Sequence, residues 1–179
     1  MDLKGKTVGI LVEDYYQGLE VWYPVLRLQE EGINVVIIGT GRKKSYFSKH
    51  GLEIEQDMSA AEANANKLDS IVISGGYAPD ILRRYESIAQ LVKAIFDSGK
   101  SVAVTCHGLW VTISAGILKG KRVSSFSAIK DDVVNAGATY VDQEVVQDGN
   151  LITSRMQEDL PAFMKAIIQS LKTQKVTIS

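Results

Sequence analysis

Short continuous apolar runs, separated by longer amphipathic stretches, set the rhythm of this chain. Four runs are rich in β-branched residues: TVGILV (7–12), NVVIIG (34–39), SIVIS (70–74) and SVAVT (101–105). They do not alternate with polar residues, so they predict strands covered on both faces. The stretch 18–31, GLEVWYPVLRLQEE, puts Leu19, Trp22, Tyr23 and Leu26 at helical spacing, and Gly32 stops it. Pro24 falls near its second turn, where it kinks the helix or follows an irregular first turn. Residues 86–98 place Ile88, Leu91, Val92, Ile95 and Phe96 on one face. Residues 107–117 predict another helix. Residues 158–172 predict the last, with Leu160, Phe163, Met164, Ile167, Ile168 and Leu171 aligned. Alternating strand and helix implies an α/β fold with a mainly parallel sheet. Two segments break the alternation. Residues 43–56 predict a hairpin insertion. Residues 140–154 read as strand, a turn at Asp148-Gly149, and strand. With no linker or repeat, the 179 residues read as one domain, 1–179, with a frayed tail after Lys172.

Composition narrows the function. A net charge of −1 gives no basic patch for nucleic acid. The apolar runs fall far short of the roughly 20 residues that span a membrane. The apolar segment near the start is ended by Glu13 and Asp14, too early for a secretory leader, so a cytoplasmic protein is expected. The single cysteine excludes an intramolecular disulfide and a multi-cysteine zinc site.

That cysteine sits in SVAVTCHGLW (101–110), where the fourth parallel strand hands over to a helix. Sites in doubly wound sheets lie at the carboxyl ends of strands. A sharp strand-to-helix turn there would lift Cys106 as a nucleophile elbow, and a helix N-terminus would lower its thiol pKa. Gly108 suits so tight a turn, although Val104 stands where the full elbow signature has a second glycine. A lone free cysteine is otherwise a small buried hydrophobe. Two more segments end at the same sheet edge. ISGGYAPD (73–80) offers Gly75 and Gly76, whose backbone N–H groups can face a developing oxyanion. EDYYQGLEVWYP (13–24) carries Glu20, a carboxyl able to exchange a proton with the thiol.

AVTCHG, SGGYAPD, SAGILKGKRVSSF, IKDDVVNAGATYVDQEVVQDGNLITSR and LEVWYP followed by RLQEEG resemble the PfpI family across nearly the whole chain. That superfamily includes the intracellular PfpI proteases and the human Parkinson-associated deglycase. The resemblance implies a flavodoxin-like three-layer sandwich, with helices on both faces of the sheet. It makes Cys106 the nucleophile, Glu20 its acidic partner, and His107 the histidine of the PfpI-type subgroup. Asp80 matches the acid that orients this histidine from a neighbouring subunit, one methylene shorter than the usual glutamate. The oxyanion hole would use the N–H groups of Gly76 and His107. The chain departs from the pattern at Leu109 and Trp110 after CHG, in SRMQEDL (154–160), at Gln17, and at Phe126.

The leading expectation is a cofactor-independent enzyme acting on small reactive carbonyls, such as methylglyoxal or its adducts. The others are a cysteine peptidase or amidase with an intersubunit Cys106–His107–Asp80 triad, and a redox-sensing stress protein or holdase. No metal is implied. The expected partners are a small carbonyl or peptide substrate and further copies of the chain, as a dimer or hexamer, with no nucleic acid and no membrane. His50 is read as a turn residue, and the GRKK run (41–44) as a solvated hairpin. Tyr15, Tyr16, Trp22 and Tyr23 are read as packing residues at the pocket, core or interface.

Overall fold

The computed structural model describes residues 3–173. The frayed tail expected after Lys172 lies almost wholly outside them. Strands β1 (Thr7–Leu11), β2 (Asn34–Gly39), β6 (Ser70–Ile73) and β7 (Ser101–Thr105) fall on the four apolar runs. With β5 (Met58–Ser59), β10 (Val145–Asp148) and β11 (Leu151–Ser154) they form a seven-stranded sheet ordered β10-β11-β7-β6-β1-β2-β5. Every pairing is parallel except that of β10 with β11. The short chain from Asp148 to Leu151, with Gly149 at φ +64°, makes that antiparallel hairpin possible.

Helices α1 (Gly18–Glu30) and α6 (Leu160–Thr173) pack together, α1 on β2 and α6 on β7, β10 and β11. Against the other face lie α2 (Ala78–Leu82), α3 (Glu86–Asp97), α4 (Leu109–Ser114) and α5 (Lys130–Asn135). The result is a three-layer α/β sandwich. A small hairpin of β3 (Ser45–Phe47) and β4 (Glu53–Glu55) stands where 43–56 predicted one, and β8 (Arg122–Val123) pairs with β9 (Thr139–Tyr140). No helix among the described residues is long and apolar enough to cross a membrane.

The amphipathic readings of α3 and α6 hold: Ile88, Leu91, Val92 and Ile95, and all six named α6 residues, are buried, while Phe96 is only partly buried against the same core. That of α1 does not. Val21, Pro24, Val25 and Leu28 face the core, whereas Leu19, Leu26 and Tyr23 are exposed. The helix is apolar on two sides, so spacing alone did not say which side the sheet would take. It runs on through Pro24 for thirteen residues. The GRKK run is more than a solvated hairpin: Arg42 bridges buried Glu13 and Asp14 at 2.7 Å each, and Lys43 reaches Asp14 at 2.6 Å. Burial works to raise the Asp14 carboxyl, but bonds from Lys43, Phe47 and Arg42 outweigh it and hold the pKa below the usual carboxylate value.

Candidate active site

Chain order places β6 and β2 on opposite sides of β1, so the connection reverses direction there. Such a switch point opens a crevice at the carboxyl ends of the strands. Four neighbouring strands deliver residues to that edge: β1 leads to Glu20, β6 to Gly75 and Gly76, β7 to Cys106, and β11 to Gln157.

The elbow is real and strained. Cys106 has φ 58°, a left-handed conformation that costs a non-glycine residue about 1–2 kcal/mol. A 3-10 turn, Cys106–Gly108, follows, and then only the six residues of α4. The helix predicted over 107–117 is therefore shorter, with a weaker terminal field than a long helix provides. Gly108 fits as expected: a Cβ on it would lie 2.8 Å from the Ile73 carbonyl oxygen.

The sulfur sits in a polar cradle rather than in apolar packing. A Cβ on Gly75 would lie 2.9 Å from Cys106 Sγ and 2.8 Å from Glu20 Oε2, so only glycine lets carboxyl and thiol approach each other. Backbone N–H groups of His107 and Gly76 both donate toward the sulfur. Gly76 adopts φ +75° and is stitched to the loop after β1: Tyr77 N–H donates to Tyr15 O at 2.9 Å and Gln17 N–H to Gly75 O at 3.2 Å. These bonds fix the Gly76 donor that an oxyanion beside the sulfur would meet.

Glu20 is fully buried in the first turn of α1. The Gly75 N–H donates to its Oε2 at 2.6 Å, and Gln157 Nε2 donates to Oε1. Burial nevertheless pushes the carboxyl above its ordinary pKa. Burial, and then the charge of Glu20, push the Cys106 thiol up to about 12. The expected fall in thiol pKa is thus overturned: loss of water around the sulfur outweighs the short helix. With Glu20 ionised, the sulfur does not lose its proton to water at neutral pH. Burial raises the proton affinity of both groups.

His107 is half-buried, and its Nδ1 lies 3.2 Å from Cys106 Sγ. Burial lowers its pKa, as does the charge of Lys49, while Asp132 works the other way. Asp80 does not join this group within the chain; it is exposed and pairs with Arg84, one turn along. His50 is an exposed turn residue whose N–H donates to Ser48 Oγ at 3.2 Å. Tyr16 is buried, donates to Leu52 O at 2.8 Å and accepts from Trp22 Nε1 at 3.1 Å, a structural role. Tyr15 and Tyr23 are exposed. Among the described residues, no cluster of three or more His, Cys, Asp or Glu is placed to hold a metal.

Sequence reasoning missed Gln157 and Lys49. Gln157 had a usable signal: it lies just past β11, at the same carboxyl edge as the other site residues. Lys49 had none, because it arrives on the hairpin inserted beyond β2.

The model of the DJ-1/PfpI family matches residues 6–170. The chain belongs to this family. The chain is 41% identical over 165 residues to a deglycase of Pyrococcus abyssi, covering 92% of this chain and 99% of that one. It is 40% identical to deglycase PfpI of Pyrococcus furiosus, covering 88% and 94%. A solved two-domain protein of Anabaena variabilis, with DJ-1/ThiJ/PfpI-like and ferritin-like domains, superposes with a TM-score of 0.92 at 40% identity. That match covers 93% of this chain and 48% of the larger one. The DJ-1/PfpI match extends over the strands that bring Glu20, Gly75, Gly76 and Cys106 together.

Proposed function

We propose that this DJ-1/PfpI protein is a cofactor-independent cysteine enzyme acting on small reactive carbonyls, with methylglyoxal or its adducts as the substrate class. One observation carries the reading: a lone sulfur bounded by a buried carboxyl, two backbone N–H donors and an imidazole nitrogen. The deglycases among its relatives support it. Cys106 gives its proton to Glu20 and attacks the aldehyde carbon. The resulting oxyanion is met by the N–H groups of Gly76 and His107. A proton leaves C1 of the hemithioacetal and one is added at C2, so C1 is oxidised as C2 is reduced and no outside oxidant is needed. Glu20 and His107 are the groups placed to carry these protons. Water then cleaves the thioester, releasing lactate and restoring the thiol.

The purified protein is expected to convert methylglyoxal to lactate, with loss of turnover in Cys106→Ala. Equal rates for the two proteins would remove the reading.

A further inference from the structure

Among the described residues, the His107 ring meets Cys106 Sγ through Nδ1 and packs against two aromatic side chains. Trp110 and His107 meet in a T-shaped arrangement, with centroids 5.1 Å apart and planes at 67°. Phe126 lies on it at 5.1 Å and 30°. Trp110 in turn is fixed from two sides. Its Nε1 donates to Asp132 Oδ2 at 2.8 Å, and the Arg83 guanidinium lies 5.9 Å from its ring centre. Arg83 is itself tied to Ser114 Oγ at 3.1 Å. A cleft of about 270 Å³, lined by Arg83, Ile113, Asp132, Asn135 and Ala136, runs alongside. Asp80, the acid expected to orient His107 from a second subunit, is paired with Arg84 in the turn that follows its helix.

We propose that Trp110, anchored by Asp132, is the positioning residue that holds His107 with Nδ1 on the Cys106 thiol, so that α5 of the same chain supplies the acid that steadies the histidine. The inference rests on the cysteine-enzyme reading only for its kinetic consequence. The indole acts as a rigid spacer. Its bulk blocks rotation of the imidazole, and the Asp132 bond blocks rotation of the indole. Holding a proton carrier in one orientation preserves rate, since a misplacement near 1 Å can lower turnover by about 100-fold. Charge reaches the imidazole from Lys49 on the hairpin side and from Asp132 on the α5 side, with Cys106 directly below.

The chain has only two histidines, so labelled imidazoles give two resolvable sets of resonances, and Cys106→Ala does not disturb the assignment of His50. Three variants decide the matter: Trp110→Leu, Asp132→Ala and Asp132→Asn. Asparagine keeps an acceptor for the indole but removes the charge. Trp110→Leu and Asp132→Ala are expected to shift the His107 resonances and to average its tautomers. They should lower kcat for methylglyoxal about tenfold with KM within about twofold. Asp132→Asn is expected to keep the wild-type tautomer and most of kcat while lowering the His107 titration midpoint. Thermal unfolding confirms that each variant is folded. Unchanged His107 resonances in both Trp110→Leu and Asp132→Ala would overturn the proposal. The spectra decide it even if methylglyoxal is not turned over, a result that would sink the substrate reading alone.

Discussion

At the scale of single residues, the site is governed by what burial does to charge. Cys106 and Glu20 are both pushed up in pKa, and each supplies part of the other's environment. The charge of Lys49 partly offsets the rise at Glu20 and also lowers His107. Removing it in Lys49→Gln is expected to raise the titration midpoint of His107, read from its imidazole resonances. A fall, or no movement, would mean that the hairpin charge does not reach the site. Cys106, Glu20 and the glycines were legible in the sequence because they follow the first, third and fourth apolar runs. The direction of the thiol shift was not, since it depends on how much water the fold removes around the sulfur. A helix start written in sequence does not reveal that the helix will stop after six residues.

At the scale of elements, two backbone positions carry the geometry. Cys106 and Gly76 both adopt left-handed φ, and a Cβ on Gly76 would lie 2.5 Å from the Tyr15 carbonyl oxygen. Gly76→Ala is therefore expected to destabilise the chain by about 1–3 kcal/mol in urea unfolding and to displace the Gly76 N–H from the sulfur. At position 106 the usual ranking of alanine over glycine should invert: Cys106→Gly is expected to be more stable than Cys106→Ala by about 1 kcal/mol. The reverse order would show that the elbow is not strained. Helix α1 shows where pattern reading ends. Leu19, Tyr23 and Leu26 form as good an apolar stripe as Val21, Val25 and Leu28, and only packing on β2 and α6 selects the second. By contrast α3 and α6 have one apolar face each, and spacing was enough.

At the scale of the molecule, one apolar cluster ties the sheet to both helical layers, and Phe163 of α6 is fully buried in it. Phe163→Ala is expected to lose about 3–5 kcal/mol of stability while leaving the hydrogen bonds of Glu20 in place. The site sets a second global trend. Folded Glu20 has a raised pKa, so the folded chain holds a proton that the unfolded chain releases more readily. Its stabilising effect is full below the unfolded value and is lost as pH rises through the folded one. The thermal midpoint of the wild type, relative to Glu20→Gln, is thus expected to fall as pH climbs above about 4.5. The order of strands was legible as an alternation of β and α, but not their spatial order, which depends on pairings between distant segments. That spatial order puts β1, β6, β7 and β11 side by side and so assembles the site.

The central claim is that Cys106 ionises by passing its proton to Glu20. The rate of Cys106 alkylation by iodoacetamide, followed by intact mass from about pH 6 to about pH 9, tests it most directly. In the wild type the rate should be nearly flat, because the proton moves within the pair. In Glu20→Gln it should climb about tenfold per pH unit below the thiol pKa, as for a thiol that must ionise to water. A wild-type rate that climbs just as steeply would contradict the account.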